Sequence, residues 1–191
     1  MKKRFFLSLA LVSLLVFTGC YSLSTYQNAD TVREGKFAGG LGIGVLQFAD
    51  PDTDGGAILD TNEFMNDYQM MELFLRYGLT ENMDMGFKIY STNLSMDWKW
   101  RFIDLGIFRV ATDIGGVYSN FFGLTGWAIN GNLIFDIRPV DAISLYFGPK
   151  YQYVSYGFTD DIDIVPQHYY GGFVGFKFQL GAIALMPEVA F

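Results

Sequence analysis

The chain has 191 residues, with one cysteine, one histidine and five prolines, and only 17% of it is charged. One Cys excludes a disulfide scaffold and any metal site built on several thiolates. So little charge and proline beside 51% hydrophobic residues excludes an intrinsically disordered chain. Positive charge is scarcer still, at 13 Lys and Arg against 20 Asp and Glu. Lys2, Lys3 and Arg4 belong to a leader, and without them the balance is 10 to 20, a net of −10. Clustered cations for phosphate neutralisation are therefore lacking, which argues against nucleic acid as a partner. The length suits one domain.

Long apolar runs are also missing, except at the start. Residues 5–17 are interrupted only by Ser8 and Ser13. As a helix they would reach about 20 Å, short of the roughly 30 Å hydrocarbon core. With the basic residues before them they read as a signal peptide over 1–19, not a permanent span. The sequence Phe17-Thr18-Gly19-Cys20 resembles the bacterial lipobox, with Phe17 where Leu is usual. The resemblance implies that Cys20 is acylated and becomes the mature N-terminus. The alternative is an ordinary leader cut after Cys20 or Ser22. Tyr21 follows where Asp would often mark inner-membrane retention, so the resemblance implies the outer membrane. Residues 20–35 are polar and without apolar periodicity. They read as the lipidated N-terminus and a tether to a folded domain over 36–191.

From Lys36 onward the period is two, the signature of strands. Leu94, Met96, Trp98 and Trp100 share one face, while Ser95, Asp97, Lys99 and Arg101 share the other. The spacing predicts strands near 36–48, 67–79, 83–91, 94–103, 105–118, 124–137, 141–155, 166–180 and 182–191. Most connections are tight, and two are long, at 49–66 and about 155–166. The expected fold is all-β, an up-and-down antiparallel barrel of about 8–10 strands. Nine is an odd count where single-chain bacterial barrels are usually even. Pro149 and Pro187 fall inside strands and point to bulges or edges.

Volume decides which face points out. The lumen of a barrel of about eight strands is just filled by ordinary side chains. The apolar face carries several dozen large residues and would overpack it. The other face holds Gly, Ala, Ser, Asn and charges, as where Ala38, Gly40, Gly42 and Gly44 alternate with Phe37, Leu41, Ile43 and Val45. The apolar face is therefore expected in lipid, crossed by strands of suitable length. Closure then satisfies every backbone group. Tyr77, Trp98, Trp100, Tyr118, Trp127, Tyr153 and Tyr170 are candidates for interfacial girdles. Phe191, behind Ile183, Leu185 and Val189, resembles the terminal signal read by the barrel-assembly machinery.

The inward face takes Arg76, Lys88, Lys99, Arg101, Arg109, Lys150 and Lys177, with Glu72, Asp84, Asp97, Asp113, Asp136 and Glu188. Confined charges must pair. They form either a salt-bridged filling that fixes register or the lining of a narrow pore or ligand pocket. The long loops are acidic, without Lys or Arg. Asp50, Asp52 and Asp54 with Gly55 have the D-x-D-x-D-G opening of a Ca²⁺ loop, although the twelfth position is Thr61, not Glu. Specific Ca²⁺ binding, diffuse attraction of divalent cations and a merely solvated loop all fit this segment. No other cofactor is indicated.

Catalysis in such a barrel would need a base beside a nucleophile. His168 is the sole His, with Ser155, Ser119, Asp161 and Asp163 as conceivable partners, and no spacing selects them. An exposed or structural His is the preferred reading, so no catalytic residue is assigned. Gly39, Gly40 and Gly42 lie along a strand and do not form a phosphate loop.

The runs 77–90 (YGLTENMDMGFKIY), 144–154 (SLYFGPKYQYV) and 184–191 (ALMPEVAF) resemble a broad family of uncharacterised bacterial outer-membrane β-barrel proteins, some of them lipoproteins. The likeness covers most of 36–191 and implies a fold and a location, with no activity attached. The expectation is a monomeric outer-membrane barrel with a structural or surface-interaction role. A narrow solute pore and an envelope-lipid-modifying enzyme are the alternatives.

Overall fold

The structure, a computed structural model, describes residues 25, 27–46, 68–90, 93–121, 124–158 and 166–191. The proposed leader over 1–19, Cys20, and the acidic residues Asp50, Asp52, Asp54, Asp161 and Asp163 lie outside them.

The described chain is all-β. In order come β1 (Phe37–Leu46), β2 (Tyr68–Thr80), β3 (Met83–Tyr90), β4 (Asn93–Asp104) and β5 (Phe108–Phe121). They are followed by β6 (Leu124–Val140), β7 (Ile143–Phe158), β8 (Gln167–Leu180), β9 (Ile183–Leu185) and β10 (Glu188–Ala190). Each strand from β1 to β8 pairs antiparallel with the next, and β9 and β10 both pair with β8. The single meandering sheet curls into a half-barrel.

The last two strands are one ladder interrupted. Leu185 faces Phe178, and three residues on Glu188 faces Gly175, so no register is lost between them. The interruption is Met186-Pro187, where proline has no N–H to give, although its carbonyl still accepts from Phe176 N at 3.0 Å. Pro149 behaves otherwise than expected. It sits in β7 between β6 and β8, opposite Gly172, and the β6–β7 register is the same on both sides of it. A lost donor there leaves a local gap in the ladder without a bulge. The register shifts lie elsewhere, at Gly78/Thr80, Arg101/Ile103 and Ile137/Val140, all beside tight turns. The β4–β5 turn uses Gly106 at φ +80°, a left-handed geometry that favours glycine. Leu105 and Ile107, expected to begin β5, therefore flank this turn.

The alternation becomes a difference in exposure. On β4, Leu94, Met96, Trp98 and Trp100 are exposed while Ser95, Asp97 and Lys99 are buried. Tyr90, Ile134, Tyr146, Val154 and Phe173 are the largest fully buried apolar side chains among the described residues. Tyr146 fits because its partner across β7–β8 is Gly175, where a Cβ would stand 2.4 Å from the phenol oxygen.

Candidate functional site: the charged interior

The concave face gathers charges from nearly every strand. Cross-strand pairing places Arg76 of β2 beside Gly86 of β3, and Gly86 opposite Asp97 of β4. Lacking a side chain, Gly86 leaves room for Arg76 to reach over it to Asp97 at 2.7 Å; a Cβ would meet both partners below 3 Å. Arg76 Nε also donates to Asp84 Oδ1 at 2.8 Å, and Lys99 Nζ lies 3.6 Å from the other Asp84 oxygen. Asn132 Nδ2 donates to Asp113 at 3.2 Å, across a directly paired position of β5 and β6. Nearer the long-loop end, Lys88 approaches Glu72 at 3.4 Å. Arg76, Asp84, Asp97, Lys99, Asp113 and Asp136 are all buried, so this is a desolvated network whose members depend on one another.

The remaining expected interior residues sit as follows. Lys150 is buried, while Lys177 and Glu188 are half-buried. Arg109 is buried at the tight-turn end and donates to Asp104 at 3.1 Å. Arg101 belongs to the rim: it bonds the Glu81 carbonyl and the Asn82 side chain at 3.0 Å and pairs with Asp104.

What the strand pattern does not reveal is a segment crossing this face. Thr25 and residues 27–34, inside the stretch expected to be a tether, lie against the concave side. Thr25, Gln27, Asn28 and Ala29 are buried. The segment is bound at both sides of the curl. Thr25 N donates to Glu188 of β10, Asn28 Nδ2 to Asp136 of β6 at 2.8 Å, and Val32 N to Asp84 of β3 at 2.8 Å. Glu34 then bridges Gly78 of β2 in parallel. Lys99 donates to the carbonyls of Asn28 and Asp30.

Asp30 is the centre of this segment. Its carboxylate receives Arg109 of β5, Arg138 of β6 at 3.2 Å, Lys177 of β8 at 3.1 Å and Asn28 at 3.0 Å. Burial works against its charge. Lys177, the bonds from Asn28 and Lys177, and Arg109 outweigh burial and hold the carboxyl well below the usual carboxylate range. The alternation sets seven inward cations against six carboxylates, nearly balanced, and carries no signal of Asp30.

Beside Thr25 and Gln27 lies a small cavity of about 10 Å³, lined by Phe74, Arg76, Phe87, Lys88 and Asp97. That is room for one water at most. At the tight-turn end an open groove of about 500 Å³ runs between the β4–β5 and β6–β7 turns, with Arg109 and Arg138 in its lining.

The residues weighed for catalysis do not converge. His168 is exposed, and its Nδ1 lies 2.9 Å from the Tyr151 hydroxyl. Ser119 is buried on the inward face, and Ser155 is on the outward face with Tyr153. Among the described residues no group of three or more His, Cys, Asp or Glu is placed to hold a metal ion. No family model matches this sequence, and no curated protein or solved structure matches it either.

Proposed function

We propose that the chain is an integral β-barrel of a bacterial outer membrane, lipid-anchored at Cys20, with a structural or surface-interaction role. The observation that carries this reading is the inverted distribution of side chains. Trp98, Trp100, Trp127, Leu73, Ile89, Ile114 and Ile129 stand exposed on the convex side, while the ions are enclosed on the other. An exposed apolar surface of this extent on a soluble monomer would drive association. Facing acyl chains, it is matched to its surroundings. Aromatic pairs on the outward side support girdles near both ends. Phe37 and Tyr77 lie 4.7 Å apart towards the tight turns, and Trp127 and Tyr153 lie 5.2 Å apart towards the long loops. In hydrocarbon the open sheet edges must also be satisfied, so this reading requires closure of the curl.

The acidic loops, on this reading, lie at the cell surface and draw divalent cations, with Asp50, Asp52 and Asp54 as the Ca²⁺ candidates. The assembly machinery and outer-membrane lipids are the partners, and the protein acts as a monomer and not as an enzyme. Residues 27–34 lie across the interior, so the narrow-pore reading would require their displacement.

The test is gel mobility of the detergent-extracted protein before and after boiling, with and without Ca²⁺. A closed barrel is expected to migrate faster unheated, and a Ca²⁺-dependent shift that is lost in Asp52→Asn would assign the loop. Identical mobility before and after heating, in protein that is folded by circular dichroism, would remove the barrel.

A further inference from the structure

Three cations from three different strands converge on one carboxylate that no strand supplies. Arg109, Arg138 and Lys177 are brought together by β5, β6 and β8, and Asp30 comes to them from residues 27–34. Arg109 and Arg138 also line the open groove at the tight-turn end, so two of the three cations border a space open to the outside. Arg109 also donates to Asp104 at 3.1 Å, a contact that does not depend on Asp30, while Arg138 has a second, solvent-exposed partner in Asp141 at 3.5 Å. A carboxylate held this way occupies the position that any small oxyanion would take.

We infer that Arg109, Arg138 and Lys177 form an anion-binding site, filled in cis by Asp30, for a phosphate- or carboxylate-bearing ligand that enters by the groove. Such a ligand competes with Asp30, and its binding unseats residues 27–34. The contacts of that segment to Lys99, Asp136 and Asp84 lie directly beyond the cradle and are interior contacts. Occupancy of the mouth is thereby linked to the filling of the lumen, and binding at one is paid in contacts at the other. The inference stands on the interior geometry and holds whether or not the convex face meets lipid.

The experiment uses the full chain in detergent micelles. Inorganic phosphate is titrated into the protein and into Asp30→Ala, while hydrogen exchange is followed at the amides of 27–34. Chloride at matched ionic strength is the control. Removing the internal competitor is expected to tighten phosphate binding by about tenfold or more, the size of one charge-assisted contact. In the unaltered chain, phosphate is expected to accelerate exchange at Val32, and Arg138→Ala in the Asp30→Ala background is expected to abolish binding. Should Asp30→Ala fail to fold, Asp30→Asn keeps the shape of the side chain and serves the same comparison. A second arm replaces phosphate with micelles doped with an anionic phospholipid. A response to the lipid alone identifies a headgroup as the ligand, and a response to free phosphate identifies a soluble anion. If neither moves the segment, if chloride does so equally, or if Asp30→Ala binds phosphate no better than the unaltered chain, the inference is overturned.

Discussion

The two faces of β4 make an instructive pair. Within seven residues the same backbone presents Leu94, Met96, Trp98 and Trp100 outward and Ser95, Asp97 and Lys99 inward. Trp98 is 54% exposed and its neighbour Lys99 is 3% exposed. In a water-soluble sheet the ranking runs the other way, because burying apolar area is what stabilises a core. Here the enclosed side coheres through directed ion pairs and hydrogen bonds, so its members are few, specific and mutually dependent. The open side has only contacts between neighbouring side chains, such as Trp127 with Tyr153, and depends on what surrounds it. One face is thus sensitive to single-atom changes and the other to the solvent.

Breaking the enclosed side gives the largest expected effect. Asp84→Ala removes the acceptor shared by Arg76, Lys99 and Val32 N–H. It is expected to destabilise the fold by about 3–5 kcal/mol, the cost of orphaning a buried charge, measured by denaturant unfolding in detergent. The open side answers next. Met96→Arg places a charge in the middle of the outward band and is expected to cost about 2–4 kcal/mol in bilayers. If that side met water, the same change would fall within about 0.5 kcal/mol, as surface substitutions do. Gly175→Val sharpens the contrast within the interior. A Cβ there collides with the Tyr146 phenol, and an overpacking cost of about 1–3 kcal/mol is expected in the same unfolding assay.

The smallest effect concerns pH. Asp30 faces Arg109, Arg138, Lys177 and Asn28, with Asp136 bonded to the same Asn28. Its carboxyl lies below the usual range when folded. The stability it contributes is therefore present above the unfolded value of about 3.9 and lost only as pH falls through the lower folded one. Protease protection of residues 27–34 is expected to stay constant from pH 7 to about 4 and to decline below that. Release between pH 6 and 5 would show that the cradle does not hold Asp30 as an anion.

The strands were legible because period-two alternation needs only neighbours in sequence. Met83–Tyr90 and Asn93–Asp104 fall within a residue or so of their expected limits. Where the expectation ran into Leu105 and Ile107, apolar residues were read as strand although Gly106 turns the chain between them. The inward ions were legible as a face and not as pairs, since Arg76 meets Asp97 only through the register of two hairpins and the gap left by Gly86. The segment at 27–34 was illegible as an interior element. Its residues carry no periodicity, and Asp30 acquires its meaning only from cations 79, 108 and 147 residues away.

All three tryptophans of the chain, Trp98, Trp100 and Trp127, stand on the outward side and are about half exposed. Their fluorescence reports directly on what touches that side. After reconstitution, lipids brominated along the acyl chain are expected to quench the emission strongly while iodide in the water leaves it nearly unchanged. Strong iodide quenching without quenching by brominated lipid, from protein that stays folded and monomeric in buffer alone, would contradict the account.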